Sequence, residues 1–515
     1  MDPFTLTLFL TMGFLLLYHF LWQPMNYFKE RGIKYESPVP ILGNMASVVL
    51  RRTSMAEHFQ RLYQRFSDVK YFGLFNFTNP VIVIRDPDLI ASITVKNFDH
   101  FCNRRGFDIG DLDPLIGKNL SALRDDEWRE MRRLLSPSFT SMKMKIMYHL
   151  IRDCANDFSD FIANQSKHGK VFDIKDIFGR YTTDVIATCS FGISIDSMRN
   201  PNNEFYVLAR DTMSSQSSLS WKLMLGMCCP ALCRTFGIRI FSEKVHRYFL
   251  NVVRETVKMR EEQVNMIQLM MDTKDKERSL TIEEMTNQAF VFFLAGYDTS
   301  STFLSFLMHE IATHPEVKAK LMEEIEEVVR KTNGNPTYDA LKNMPYMDAV
   351  MNETLRLDSI ATSLDRVCVK EFQLEPASSG AEPVTLKPGD VVWFLPFSLQ
   401  RDSKYVKNPT KFDPDRFLGK DAPPPSVNIP FGIGPRFCIG NRFALLESKI
   451  LMFYLLWRCD VEPCEKTQIP MKFSKHNIAL TAENGFWLKF RARDKRYLTK
   501  RPKNFQYTEL TKFSF

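Results

Sequence analysis

Phe431-Gly432-Ile433-Gly434-Pro435-Arg436-Phe437-Cys438-Ile439-Gly440 is the stretch whose reading decides the fold. It is a glycine-loosened loop that delivers one cysteine, followed by an apolar run (Phe443, Ala444, Leu445, Leu446, Ile450, Leu451) with helical spacing. A cysteine just ahead of a helix start faces backbone N–H groups and the positive end of the macrodipole, and both favour the thiolate. Gly434 and Gly440 permit positive φ and close backbone approach, so those N–H groups can point at the sulfur. Arg436 can reach an anion beside it. A lone cysteine is more often a small buried hydrophobe. The register of Phe, two glycines, Arg, Cys and a third glycine is what lifts Cys438 above that reading.

An isolated thiolate facing a flat anionic ring is what a haem with a cysteine axial ligand requires. The full string resembles the haem-ligand signature of the cytochrome P-450 family. The resemblance implies a mainly α-helical α+β fold, with a helical-rich lobe and a small β-rich lobe. It also implies haem b held by Cys438 as the metal ligand, with Phe431, Gly432 and Arg436 beside the ring.

Working outward, the chain has 515 residues, of which 44% are hydrophobic and 25% charged, enough for a large core. No linker-like segment or internal repeat divides it, so one large catalytic unit is expected. The ten cysteines are scattered without CxxC pairs, which argues for reduced thiols and against a secreted disulfide framework. A formal charge of +8 suits an anionic membrane surface or an acidic protein partner, and no basic block is dense enough for nucleic acid.

From Pro3 to Trp22 there are no charged residues, and about twenty such residues span a bilayer as a helix. Lys29, Arg31 and Lys34 follow, which places the body on the cytoplasmic side. A cleaved signal peptide wants a basic start and small residues at the cut, whereas here the start is acidic and the end bulky. The expected organisation is an anchor at 3–22, a linker and proline-rich hinge at 23–40, and a catalytic domain at 41–515.

Tyr71–Phe77 and Pro80–Ile84 read as a hairpin. Helices are expected over Glu127–Leu135, Lys145–Ile162, Val245–Met271 and Ile282–Ala312, and short strands return between Phe372 and Phe397. A helical body with a small sheet near each end is α+β.

Ala295-Gly296-Tyr297-Asp298-Thr299-Ser300 interrupts the long apolar helix. Ala-Gly removes side-chain bulk there, and Asp298 with Thr299 sets an acid beside a hydroxyl in apolar surroundings, which is costly without partners. Taken alone, a hydroxyl bonded back to a helix carbonyl explains it as well as a proton relay does. The resemblance implies the relay, with Thr299 and Asp298 catalytic and Ala295 beside the haem.

Glu353-Thr354-Leu355-Arg356 places an acid and a base at i, i+3. Such pairs are usually ordinary surface pairs, but the resemblance joins Glu353 and Arg356 to Arg416 in a buried structural triad. Trp128 and Arg132, at i, i+4 on a basic helix, resemble the pair that holds a haem propionate, and Arg366, Arg436 and Arg104 match further propionate contacts. Two departures stand out. Asp358-Ser359-Ile360 replaces the usual aromatic and prolines, and Gln400 stands where a histidine often precedes Arg-Asp.

Substrate-facing candidates implied by the resemblance are Phe107, Ile109, Leu112, Phe293, Leu364 and Ile478, a lining for a lipophilic, bulky molecule. The segment Leu219–Ile240 either dips into the bilayer interface or forms a buried helix pair. No dinucleotide fingerprint follows a strand, so electrons come from outside. An acidic NADPH–cytochrome P-450 reductase would match Arg129, Arg133, Arg442 and Lys449, and cytochrome b5 could use the same face. The expectation is an endoplasmic-reticulum monooxygenase that uses O2 and NADPH-derived electrons for detoxification of foreign compounds. Oxidation of an endogenous hormone or lipid, a reductase-independent haem-thiolate isomerase and a non-catalytic haem sensor are the alternatives.

Overall fold

Apolar residues at helical spacing, started by local caps, build the body of this computed structural model. The structure describes residues 26–105, 113–213, 230–259, 280–477 and 479–493, with scattered single positions besides. Most of the expected anchor, residues 106–112 with Phe107, Ile109 and Leu112, and Ile478 lie outside the described residues, as does much of 219–240.

The helices that position the site are α1 (Asp125–Leu135), α2 (Ser141–Gln165), α3 (Ile174–Ile186), α4 (Ile282–Thr313), α5 (Pro345–Leu357) and α6 (Asn441–Arg458). A capping box opens α4: the Glu284 N–H donates to Thr281 Oγ1 at 3.1 Å, and the Thr281 N–H donates back to Glu284 Oε2 at 2.9 Å. Pro345 sits at the first turn of α5, where a missing N–H costs nothing. The expected break at Ala295-Gly296 is absent, and α4 runs unbroken through it. Gly296 serves packing instead, because a Cβ there would lie 2.4 Å from Ile186 Cδ1 of α3. Thr182 Oγ1 of α3 donates to the Tyr297 carbonyl at 3.2 Å across the same contact. By length and apolarity α4 could cross a membrane, but most of it is buried in the body.

Nine strands are described: β1 (Tyr71–Asn76), β2 (Asn79–Ile84), β3 (Lys170–Asp173), β4 (Leu364–Val367), β5 (Phe372–Leu374), β6 (Val384–Leu386), β7 (Val391–Phe394), β8 (Cys459–Pro463) and β9 (Trp487–Ala492). The first sheet has the order β1-β2-β7-β4, with β2 parallel to β7 (Val83 opposite Trp393) and the other pairs antiparallel. A second sheet runs β3-β9-β8, and β5 pairs with β6. The β1–β2 hairpin and the strands β4 and β7 therefore share one sheet, while β5 and β6 of the later strand region pair separately. One apolar core lies among the helices and another against the first sheet. Part of the expected hinge belongs to that second core. Phe28 is fully buried with its ring 4.8 Å from that of Phe75, and Gly73 has no room for a Cβ beneath it.

Candidate active site

The cysteine loop is shaped by two left-handed glycines, Gly432 (φ +81°) and Gly434 (φ +76°). At Gly434 an added Cβ would stand 2.1 Å from the Thr94 carbonyl oxygen, so only glycine lets the loop close on that segment. Gly440 does not use its freedom for positive φ: it has φ −89° and is the N-cap of α6. The loop is pinned where the Cys438 N–H donates to the Phe431 carbonyl at 3.0 Å. Among the described cysteines only Cys438 is exposed: its thiol is enclosed by protein on most sides and open on one. Burial pushes that thiol up, while the N–H groups of Gly440 and Asn441 and the cations of Arg132 and Arg104 pull it down. The helix start thus aims donors at the sulfur, but burial outweighs them and the thiol is raised overall, whereas the sequence expectation is a position that favours the thiolate.

Four cations converge nearby. Arg366 on β4 is 1% exposed, and burial with the neighbouring Arg104 brings it down to about 9. Arg436 falls to about 9 for the same reasons, burial first and then Arg104 and Arg366. Burial also lowers Arg132. Arg436 spends its nitrogens on carbonyls, Nε on Cys102 at 2.8 Å and Nη2 on Leu123 at 2.9 Å, and stacks 4.0 Å over the Trp128 ring. Arg104 donates to the Arg436 carbonyl at 3.2 Å, and Arg366 reaches the Ile433 carbonyl at 3.5 Å. The Nε atoms of Arg104 and Arg366 are buried with no hydrogen-bond partner. Mutually repelling guanidiniums with unspent donors, beside one open thiol, fit a flat ring that carries two carboxylates and takes a thiolate ligand.

On α4, Ala295 and Thr299 are the only exposed positions between Met285 and Ala312. They lie at i, i+4 and open one notch in the middle of a mostly buried helix. Thr299 Oγ1 donates to the Ala295 carbonyl at 2.5 Å. Asp298 is not in apolar surroundings: Lys175, at the start of α3, donates to its Oδ1 and its carbonyl, each at 2.9 Å. The same Nζ reaches Ser301 Oγ at 2.8 Å and Thr302 Oγ1 at 2.6 Å. Sequence reading missed Lys175, which lies 123 positions away with no motif around it. Phe293 is placed away from any open face, 1% exposed among the rings of Phe205 and Phe249 at 4.8 and 4.9 Å. Leu364 does sit beside the cysteine loop, 3.6 Å from where a Gly432 Cβ would be.

Glu353, Arg356 and Arg416 come together, all buried. Arg356 makes a two-pronged contact with Glu353 (Nε–Oε2 2.7 Å, Nη2–Oε1 2.8 Å), and Arg416 Nε donates to Oε1 at 3.1 Å. Gln400, one of the departures, extends the knot. Its Nε2 donates to the carbonyls of Leu355 and Arg356 at 3.1 and 3.0 Å, and its Oε1 accepts from the Ile429 N–H at 2.8 Å. The charge knot is thereby joined to the strand of chain that enters the cysteine loop. Of the four cations expected on the docking face, Arg129, Arg133 and Arg442 are exposed. Lys449 is not: it is 6% exposed and paired with Asp348 at 2.5 Å.

Among the described residues, a helical body with one exposed cysteine at a helix start, a notch in the long helix and a buried acid–guanidinium knot suits a haem-thiolate protein. The comparisons with known proteins agree. The family model for Cytochrome P450 matches residues 33–490. The chain is 39% identical to cytochrome P450 9e2 of Blattella germanica, with 90% of this chain and 93% of that protein covered. It is 35% identical to probable cytochrome P450 9f2 of Drosophila melanogaster, covering 91% and 96%. Identity to cytochrome P450 3A11 of Mus musculus is 33%, covering 94% and 96%. The chain belongs to the cytochrome P450 family. It is a monooxygenase that uses haem and O2 with NADPH-derived electrons supplied through a reductase.

Proposed function

We propose that this chain is a microsomal monooxygenase that oxidises lipophilic foreign compounds, with Cys438 as the haem ligand. The observation that carries it is the notch at Ala295 and Thr299, the exposed positions of the mid-section of a mostly buried helix, in a fold whose one exposed described cysteine sits at a helix start. When bound, haem supplies the oxygen chemistry. Arg104, Arg366 and Arg132, with Trp128 and Arg436 behind them, would hold its propionates, and Phe431 and Gly432 would lie beside the ring. Thr299 would hold a proton at its Oγ1 in the notch. Asp298 and Lys175, each about a quarter exposed, would link that hydroxyl to solvent. Glu353, Arg356 and Arg416 are structural.

Similarity to insect relatives supports detoxification over an endogenous hormone or lipid. The uncharged run from Pro3 to Trp22 supports anchoring in the endoplasmic reticulum with the body facing the cytosol. Exposed Arg129, Arg133 and Arg442 suit an acidic reductase, and cytochrome b5 would share that face. The test is turnover of a lipophilic substrate in lipid with NADPH–cytochrome P-450 reductase under 18O2. One labelled oxygen in the product supports the reading; product formed without NADPH and O2 would replace it with an isomerase.

A further inference from the structure

Gln288 is a fully buried amide on α4, outside the cluster that surrounds the thiol. It lies on the stripe Gln288, Phe292, Ala295, Thr299 (i, i+4, i+7, i+11), two turns or about 10 Å before the notch. Both ends of the amide are spent on one segment of backbone. Its Oε1 accepts from the Leu120 N–H at 2.8 Å, and its Nε2 donates to the Lys118 carbonyl at 3.1 Å. Displacing that segment would leave a buried donor and a buried acceptor unpaired on each side, so Gln288 fixes where it lies.

The segment is a stiff turn. Asn119 Nδ2 donates to the carbonyls of Leu115 and Ile116 at 2.8 and 3.1 Å, and its Oδ1 accepts from the Ser121 N–H at 2.9 Å. The N–H groups of Ala122 and Leu123 return to the Asn119 carbonyl, each at 3.0 Å. The other side of this turn meets the cysteine loop. Arg436 Nη1 reaches the Leu120 carbonyl at 3.5 Å and Nη2 donates to the Leu123 carbonyl at 2.9 Å, while Nε is on the Cys102 carbonyl. Leu120 therefore carries both ties: α4 holds its N–H, and its carbonyl faces Arg436. A buried guanidinium is costly unless oxygens surround it. The turn supplies two of the three carbonyls that do so here.

We propose that Gln288 is a positioning residue for the haem edge. It hangs the turn 118–123 on the notched helix, and the carbonyls of the turn set Arg436 over Trp128 at a fixed distance from the notch. The proposal rests on Arg436 standing behind the propionates. Its test is the rate of haem release from the ferric full-length protein to excess apomyoglobin, which needs no turnover. Gln288→Met keeps the length of the side chain and removes both bonds, and should release haem about tenfold faster than wild type. Gln288→Glu keeps an acceptor for the Leu120 N–H and should fall between the two; it carries the comparison if the Met variant loads no haem. Arg436→Lys should also release haem faster. Because Gln288 acts through Arg436, the double variant should release haem no faster than Arg436→Lys alone, whereas a general loosening of the fold would multiply the two effects. Wild-type release by Gln288→Met and Gln288→Glu, or full multiplication in the double variant, overturns the role of Gln288. Wild-type release by Arg436→Lys would instead remove Arg436 from propionate binding, and the proposal with it.

Discussion

Thr299 and Gly434 are single positions at which one atom decides the outcome. Thr299 is open to the notch and rests with its hydroxyl on the Ala295 carbonyl, so its removal leaves the helix intact and takes away the one proton-bearing group there. In Thr299→Ala the NADPH consumption is expected to continue while product per NADPH falls several-fold and peroxide rises. Full coupling in the variant would remove Thr299 from the mechanism. Gly434→Ala meets both a left-handed backbone, about 1–2 kcal/mol by itself, and the Thr94 carbonyl at 2.1 Å. It should retain little haem and melt at a lower temperature than wild type. Wild-type haem content would show that the loop can close another way.

Where α4 ends and α5 ends, two buried carboxyls meet. Glu310 on α4 is 7% exposed and Asp358, just past α5, is 5% exposed; they share a hydrogen bond. Burial, and then the Asp358 charge, raises Glu310 well above its ordinary range. Burial raises Asp358 to about 6, opposed by Arg401 and Arg356. His314 Nδ1 lies 3.3 Å from Glu310 Oε2, His309 is held neutral by burial at about 4, and Glu353 adds a like charge. Both carboxyls bind protons more tightly folded than unfolded. Stability is therefore full below the unfolded range and falls as pH rises from about 4 through about 6 for Asp358, then further as Glu310 ionises. Glu310→Gln keeps a donor toward Asp358 and cannot ionise. Thermal unfolding should show it more stable than wild type at alkaline pH and equal to it near pH 5, and parallel curves at both pH values would contradict the shared proton. The pair sits where Asp358-Ser359-Ile360 replaces the usual turn, so that departure is a polar joint between two helices.

At the scale of the whole molecule, the Glu353 knot joins α5 to Arg416 and, through Gln400, to the chain entering the cysteine loop. Breaking a fully buried pair of this kind costs about 3–5 kcal/mol. Glu353→Ala should accordingly yield unfolded or haem-free protein, and a haem-loaded variant of wild-type thermal stability would show that the knot is dispensable. This part was legible only through the family resemblance, because the i, i+3 spacing of Glu353 and Arg356 by itself reads as an ordinary surface pair. Helices were legible without it, since a 3.6-residue period needs only neighbours. What escaped was long-range. The parallel register of β2 on β7 joins segments some three hundred residues apart, and Lys175 meets Asp298 only because Gly296 lets α3 approach α4. Phe293 shows the converse difficulty, since apolarity does not tell a pocket wall from a core, and here the side chain is buried among the rings of Phe205 and Phe249.

The central claim is that Cys438 carries the iron as a thiolate. The carbon monoxide difference spectrum of the dithionite-reduced full-length protein, measured beside Cys438→His, tests it most directly. A strongly red-shifted Soret band is expected in the wild type and absent from the variant. A histidine-like band in both would contradict it.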